Sequence, residues 1–216
     1  MLVWGGKPVR AALLNLYTRV WEENTLPSQW GEAEISYLYK GDNKSKSDVT
    51  SYRPISLIPI IAKMFTRCWL PRLVQLSSPA IGKEQGCGRK QQGSLEHLWA
   101  LVELIEDCSE GRDGHQDKGV YALFADVSKA YDQVWRSGLY TLLYSYGIRG
   151  RMWSMIQHWL DNSSATTKWN GVTGPKVPLA EGLRQGCVLS LILHSLCVHQ
   201  CTHFPPTSRG WHPCDA

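Results

Sequence analysis

The sequence predicts a mixed α/β (α+β) fold, and three features carry that reading. Stretches with apolar residues at helical spacing alternate with short runs rich in β-branched and aromatic residues. The chain is 43% hydrophobic and only 19% charged, a composition that builds a core and argues against disorder. Asn170-Gly171 follows one extended run and is a strong hairpin-turn signal. At 216 residues the chain suits one or two domains.

The elements follow in order. Pro8 to Asn24 reads as a helix: Pro8 suits a first turn, and Ala12, Leu13, Leu16, Val20 and Trp21 fall near helical spacing. Leu26-Pro27-Ser28-Gln29-Trp30 breaks it. Ile35 to Tyr39 is a strand, and Lys40 to Asp48 a polar, basic loop. Tyr52 to Leu57 follows, closed by Pro59. A helix runs from Ile60 to about Leu76, with Pro71 expected to kink or split it. Gly82 to Gly93 is Gly-rich and carries Lys83, Arg89 and Lys90. Ser94 caps a helix from Leu95 to about Glu110, with Leu95, Leu98, Val102 and Ile105 as its apolar stripe. After a polar loop, 111–119, the run Val120 to Ala125 reads as a strand ending at Asp126. Helices at Ser137–Tyr146 and Arg151–Asp161 precede a strand at Ala165–Trp169. Val177 to Gly186 is extended, and Val188 to about Val198 is helical. Residues 1–200 read as one cooperative unit, and the tail from Cys201 has three prolines and no periodicity.

The net charge is +4, but residues 1–90 carry 13 Lys/Arg against 7 Asp/Glu. A basic first part beside a more acidic remainder fits a polyanion held from one side. Ordinary solubilising charge explains the same numbers. Seven cysteines without regular spacing argue against a disulfide framework and for a reducing compartment. Lys7 and Arg10 interrupt the N-terminus too early for a signal peptide, and no run is long enough to span a bilayer. These features give an intracellular expectation, nucleus or cytoplasm, with no membrane partner.

Asp126 is the most informative residue. A carboxylate closing a buried strand is costly unless it binds something. Its surroundings, Phe124-Ala125-Asp126-Val127-Ser128-Lys129-Ala130-Tyr131-Asp132-Gln133-Val134-Trp135, resemble the first catalytic motif of reverse transcriptases of the non-LTR (LINE-like) retrotransposon class. Gly182-Leu183-Arg184-Gln185-Gly186-Cys187-Val188-Leu189-Ser190 resembles the next motif, a Gln-Gly turn opening a helix. Tyr52-Arg53-Pro54-Ile55-Ser56-Leu57 resembles the fingers motif, and Trp30 with Ile35 to Asp42 resembles the segment before it. Four motifs in register make the resemblance specific; it covers roughly residues 10–196. Group II intron maturases share the architecture, but the wording of the motifs is closer to the non-LTR class.

The resemblance implies a right-hand polymerase: fingers over 1–93, a partial palm over 94–200, and an irregular tail over 201–216. It implies template-directed nucleotidyl transfer with an RNA template, a DNA primer and deoxynucleoside triphosphates. Such chemistry uses two divalent ions about 4 Å apart. Mg²⁺, or Mn²⁺, is the implied cofactor, with the Asp126 carboxylate and the Val127 backbone carbonyl as ligands. Tyr131 matches a position under the incoming sugar, where a ring disfavours a 2′-hydroxyl; a plain core aromatic is the competing reading. Arg53 and Lys40 match fingers positions that contact the triphosphate, and the planar fork of Arg53 suits phosphate oxygens. Lys44 or Lys46 could replace Lys40, or simply belong to a solvated loop. Gln185 and Gly186 match the turn beside the nascent base pair. Val188 and Leu191 stand where relatives often carry proline, which softens that turn. Asp132 reads as structural, paired with a basic side chain.

The family's third motif, an aromatic-Ala-Asp-Asp hairpin, is missing, as is the thumb. After Glu181 the only acidic residue is Asp215. One carboxylate leaves a two-ion site short of ligands, so the expectation is a fragment that does not polymerise, with an exposed sheet edge and a tendency to aggregate. The alternatives are a non-catalytic nucleic-acid-binding remnant and a translated pseudogene product. Cys197, Cys201, His203, His212 and Cys214 suggest a zinc site, but their spacing matches no common one. A frameshifted tail is the preferred account.

Overall fold

The computed structural model describes residues 5–41, 44–79, 81–82, 84–86, 92–110 and 120–203, without the side chains of residues 110 and 200–203. Helix α1 spans Gly6–Glu23 and ends on Asn24, whose φ of 51° reverses the chain. A short helix α2, Ser28–Gly31, leads into strand β1, Glu32–Tyr39. Strand β2 is Tyr52–Leu57, entered through a single 3-10 turn at Val49–Ser51 that the Asp48 carboxylate caps. Helix α3 runs Ile60–Ser77 and α4 runs Ser94–Glu110. Helices α5, Arg136–Ser145, and α6, Gly150–Asp161, precede the hairpin of β3, Ser164–Trp169, and β4, Val172–Pro178. Helix α7 is Ser190–His203.

The four strands form one mixed sheet in the order β2-β1-β3-β4. β1 pairs antiparallel with β2 and parallel with β3, and β3 pairs antiparallel with β4. Asn170 and Gly171, at φ 48° and 81°, supply the two left-handed residues that a tight hairpin turn requires. The sheet thereby crosses the boundary expected at residue 93, since β1 and β2 precede it and β3 and β4 follow it.

The buried residues form one apolar cluster. Tyr17, Trp30, Phe65 and Trp69 form a chain of ring contacts at centroid separations of 4.7–6.0 Å, joining α1, α2 and α3. Leu139 and Leu143 of α5, Ile156 and Trp159 of α6 and Leu193 of α7 are buried to 1% exposure or less. Dense apolar burial of this kind is the main stabilising term.

Two expectations are corrected. Pro71 does not split α3, which runs on through it: Pro71 stands on the exposed face with Arg67, whose carbonyl loses its helical donor. The run Val120–Ala125 forms no strand. It is irregular and open, with Tyr121, Leu123 and Phe124 at 101%, 94% and 81% exposure. A strand is stabilised by ladder bonds to a neighbour, and no described strand pairs with this run. β4 also starts earlier than the extended stretch expected at Val177, and α7 starts at Ser190 rather than Val188.

Candidate functional site

The site is best built from the β1–β2 hairpin. Cross-strand partners share a face, so the pairing of Leu38 with Arg53 puts Arg53 on the same face as Lys40. Lys40 extends the ladder through its backbone N–H, which donates to the Ser51 carbonyl at 2.9 Å. Its ammonium donates to the Thr50 carbonyl at 2.6 Å, which ties it to its own hairpin. The Arg53 guanidinium is exposed and has no hydrogen-bond or ion-pair partner among the described residues. Of the two cations, Arg53 is the one free to meet an anion.

β2 is fastened to the Gln-Gly turn. The Ser56 N–H donates to the Gln185 carbonyl at 2.7 Å. Gly186 has φ 108°, and a Cβ there would lie 2.9 Å from the Ser56 carbonyl oxygen. Only glycine meets both the dihedral and the close approach. Arg184 braces the same turn from beneath. It is 3% exposed, donates to the carbonyls of Gly31 and Trp159, and lies over the Trp159 ring at 4.3 Å. Burial pushes its pKa down to about 10, so it stays charged at neutral pH. The Ser190 hydroxyl closes the turn on the Arg184 carbonyl at 2.9 Å. Val188 lies in this turn, and Leu191 lies in the first turn of α7 just after it.

The turn is also stitched to the segment around Tyr131. Leu183 N–H donates to the Tyr131 carbonyl at 2.7 Å, and Gly182 N–H donates to the Val134 carbonyl at 3.0 Å. The Tyr131 ring is half-buried beside the His194 ring, with centroids 5.0 Å apart. Burial lowers the His194 pKa, which favours its neutral form. Backbone bonds thus connect the strands of Lys40 and Arg53, through Gln185 and Gly186, to Tyr131.

Asp126 and Val127 are not brought into that set. Both are exposed, on the irregular segment that enters the Lys129–Asp132 turn. Asp132 is exposed and makes no ion pair among the described residues, so the expected basic partner is not there. Among the described residues no group of three His, Cys, Asp or Glu side chains could hold a metal ion. One carboxylate with one backbone carbonyl does not fit a two-ion centre, which needs carboxylates from more than one segment. Of the residues suggested for zinc, Cys197 is half-buried against the core. The side chains of Cys201 and His203, and all of His212 and Cys214, lie outside the described residues, as do Lys83, Arg89 and Lys90.

Arg136 was invisible to sequence reasoning because an arginine ordinarily reads as surface. It is 4% exposed and donates to the carbonyls of Leu160, Leu179, Glu181 and Gly182 and to the Ser163 hydroxyl, at 2.6–3.2 Å. Burial lowers its pKa. It binds the end of α6 to the segment that leads into the Gln-Gly turn. The only local signal was its place right after the Asp126 motif.

Among the described residues, no helix is long and apolar enough to cross a membrane. A pocket of about 550 Å³ opens at the far end of the sheet, between Gln29, Ala33, Pro59 and Lys176; Leu57, at the end of the fingers motif, lines it, and Lys40 and Arg53 do not.

Comparison with known proteins agrees with the motifs. Residues 43–206 match the family model for reverse transcriptase (RNA-dependent DNA polymerase). Over 199 residues the chain is 30% identical to the RNA-directed DNA polymerase from mobile element jockey of Drosophila melanogaster, covering 89% of this chain and 20% of that protein. It is 29% identical to the probable RNA-directed DNA polymerase from transposon X-element of the same species, covering 80% and 18%. It is 26% identical to the putative 115 kDa protein in the type-1 retrotransposable element R1DM, covering 86% and 17%. The chain spans about a fifth of the length of these relatives. With a family match across most of its length and four motifs in register, the chain belongs to the reverse transcriptase family, in its non-LTR retrotransposon class.

Proposed function

We propose that this chain is the nucleotide-facing part of an RNA-directed DNA polymerase, comprising fingers and part of the palm. The observation that carries the reading is the Ser56–Gln185 backbone bond, which fixes the Arg53 strand against the Gln-Gly turn. In this reading Arg53, with Lys40 beside it, grips the triphosphate of an incoming deoxynucleotide. Gln185 and Gly186 lie along the nascent base pair, and Tyr131 excludes a 2′-hydroxyl. RNA template and DNA primer are the macromolecular partners. Asp126 and the Val127 carbonyl are this chain's share of a divalent-ion site for Mg²⁺ or Mn²⁺. No chemical step follows from that share alone, and the 216-residue chain does not polymerise by itself. Among the described residues Cys68, Cys108, Cys187 and Cys197 form no disulfide, which supports an intracellular setting, nucleus or cytoplasm.

Two assays test this. In fluorescence anisotropy with a labelled deoxynucleoside triphosphate, Arg53→Ala should weaken binding by about tenfold or more, the scale of a charged hydrogen bond. Unchanged affinity contradicts the assignment. In primer extension on poly(rA)/oligo(dT) with Mg²⁺ or Mn²⁺, the pure chain should incorporate nothing, and clear incorporation contradicts the reading. The exposed Asp126 favours a second reading, a non-catalytic nucleic-acid-binding remnant. That protein would bind RNA with a steep salt slope yet show no Arg53-dependent nucleotide affinity.

A further inference from the structure

The two faces of the sheet differ at the hairpin end. Lys40 and Arg53 stand on one face. On the other, the register brings Tyr37, Tyr39 and Tyr52 beside Thr167 and Trp169. The Trp169 ring meets Tyr37 at 5.7 Å and Tyr52 at 5.2 Å, both edge to face. The rings line a cleft of about 470 Å³ with Lys46, Ser47, Val49 and Thr167, and Trp169 remains 45% exposed. That volume lies within the usual range of ligand sites, about 300–1,000 Å³.

The rim is built. The Tyr52 hydroxyl donates to the Lys46 carbonyl at 2.9 Å, and the Tyr39 hydroxyl donates to the Lys44 carbonyl. The Ser45 and Ser47 hydroxyls bond at 2.7 Å, and the Lys46 ammonium sits 5.9 Å from the Tyr39 ring centre. Two tyrosines thus hold a lysine-bearing loop over an aromatic floor. Among the described residues no carboxylate lines the cleft.

An aromatic floor with a cationic rim suits a flat, π-faced ligand on a polyanionic backbone. We propose that this cleft is a stacking site for an unpaired nucleobase of a single-stranded nucleic acid, with Trp169 as the platform and Lys46 meeting the phosphate. This rests on the reading that the chain handles an unpaired template strand. The cleft lies on the opposite face from Arg53 and is separate from the triphosphate contacts. A proline-rich peptide also fits aromatic grooves, but the lysine rim and the basic first ninety residues favour the polyanion.

The test is anisotropy of the full chain with a short labelled oligo(dA) and with an abasic strand of the same length. The native chain should bind oligo(dA) about tenfold tighter than the abasic strand, as one stacked base provides. Trp169→Ala should erase that preference, while Trp169→Phe retains most of it and controls for folding. Lys46→Ala should weaken both strands alike and reduce the salt slope by about 1. Arg53→Ala should leave the base preference intact, so failure here is distinct from failure of triphosphate binding. The proposal is overturned if the native chain shows no base preference or if Trp169→Ala keeps it. It is also overturned if a proline-rich peptide, rather than oligo(dA), binds in a Trp169-dependent way.

Discussion

Leu98, Trp99 and Phe124, in the segment Ser94–Val127, are 55%, 67% and 81% exposed. Leu143, Trp159 and Leu193, in α5, α6 and α7, are 0%, 1% and 0% exposed. The residue types are alike, so apolar character does not account for the difference. Partners do. α5 to α7 pack on one another, and Arg136 and Arg184 tie α6 to α2 and to the segment that leads into the Gln-Gly turn, whereas α4 presents its stripe of Leu95, Leu98, Val102 and Ile105 to solvent. The run before Asp126 likewise has strand composition with no described strand paired to it. An amphipathic pattern states what an element is able to bury; a neighbour decides whether it does.

Substitutions sharpen that contrast, beginning with the largest effect. Arg136→Ala leaves four carbonyls and a hydroxyl without their shared donor, and should cost on the order of 4 kcal/mol in urea unfolding. Leu143→Ala opens a void in a site at 0% exposure and should cost about 3 kcal/mol in the same assay. Gly186→Ala combines a left-handed φ of 108° with a Cβ at 2.9 Å from the Ser56 oxygen. It should cost about 2 kcal/mol and loosen the Ser56–Gln185 bond, seen as faster exchange of the Ser56 amide. Leu98→Ala on α4 should change stability by less than about 0.5 kcal/mol. A cost for Leu98→Ala equal to that of Leu143→Ala would break the comparison.

The contrast also explains what was legible in the sequence. α1, α3 and α4 follow apolar spacing, and the β3–β4 hairpin follows Asn170-Gly171, because those signals are local. The motif residues Arg53, Gln185, Gly186 and Tyr131 were readable from the family wording, and the structure links their segments by backbone bonds. The strand before Asp126 was misread because a ladder depends on a second segment that composition does not reveal. Arg136 and Arg184 were missed because their burial is set by carbonyls from α2, α6 and the 179–182 segment, distant in sequence. Trp169 was read only as the end of a strand. Its place beside Tyr37 and Tyr52 depends on the parallel register of β1 and β3.

Amide hydrogen exchange, followed by mass spectrometry on the full chain, tests the central contrast most directly. Peptides covering Val120 to Val127 should exchange fully at the shortest time. The Ser56 and Leu183 amides, bonded to Gln185 and Tyr131, should stay protected by orders of magnitude. Protection of Val120 to Val127 equal to that of β1 and β2 would mean a paired strand beneath Asp126, and would contradict the account.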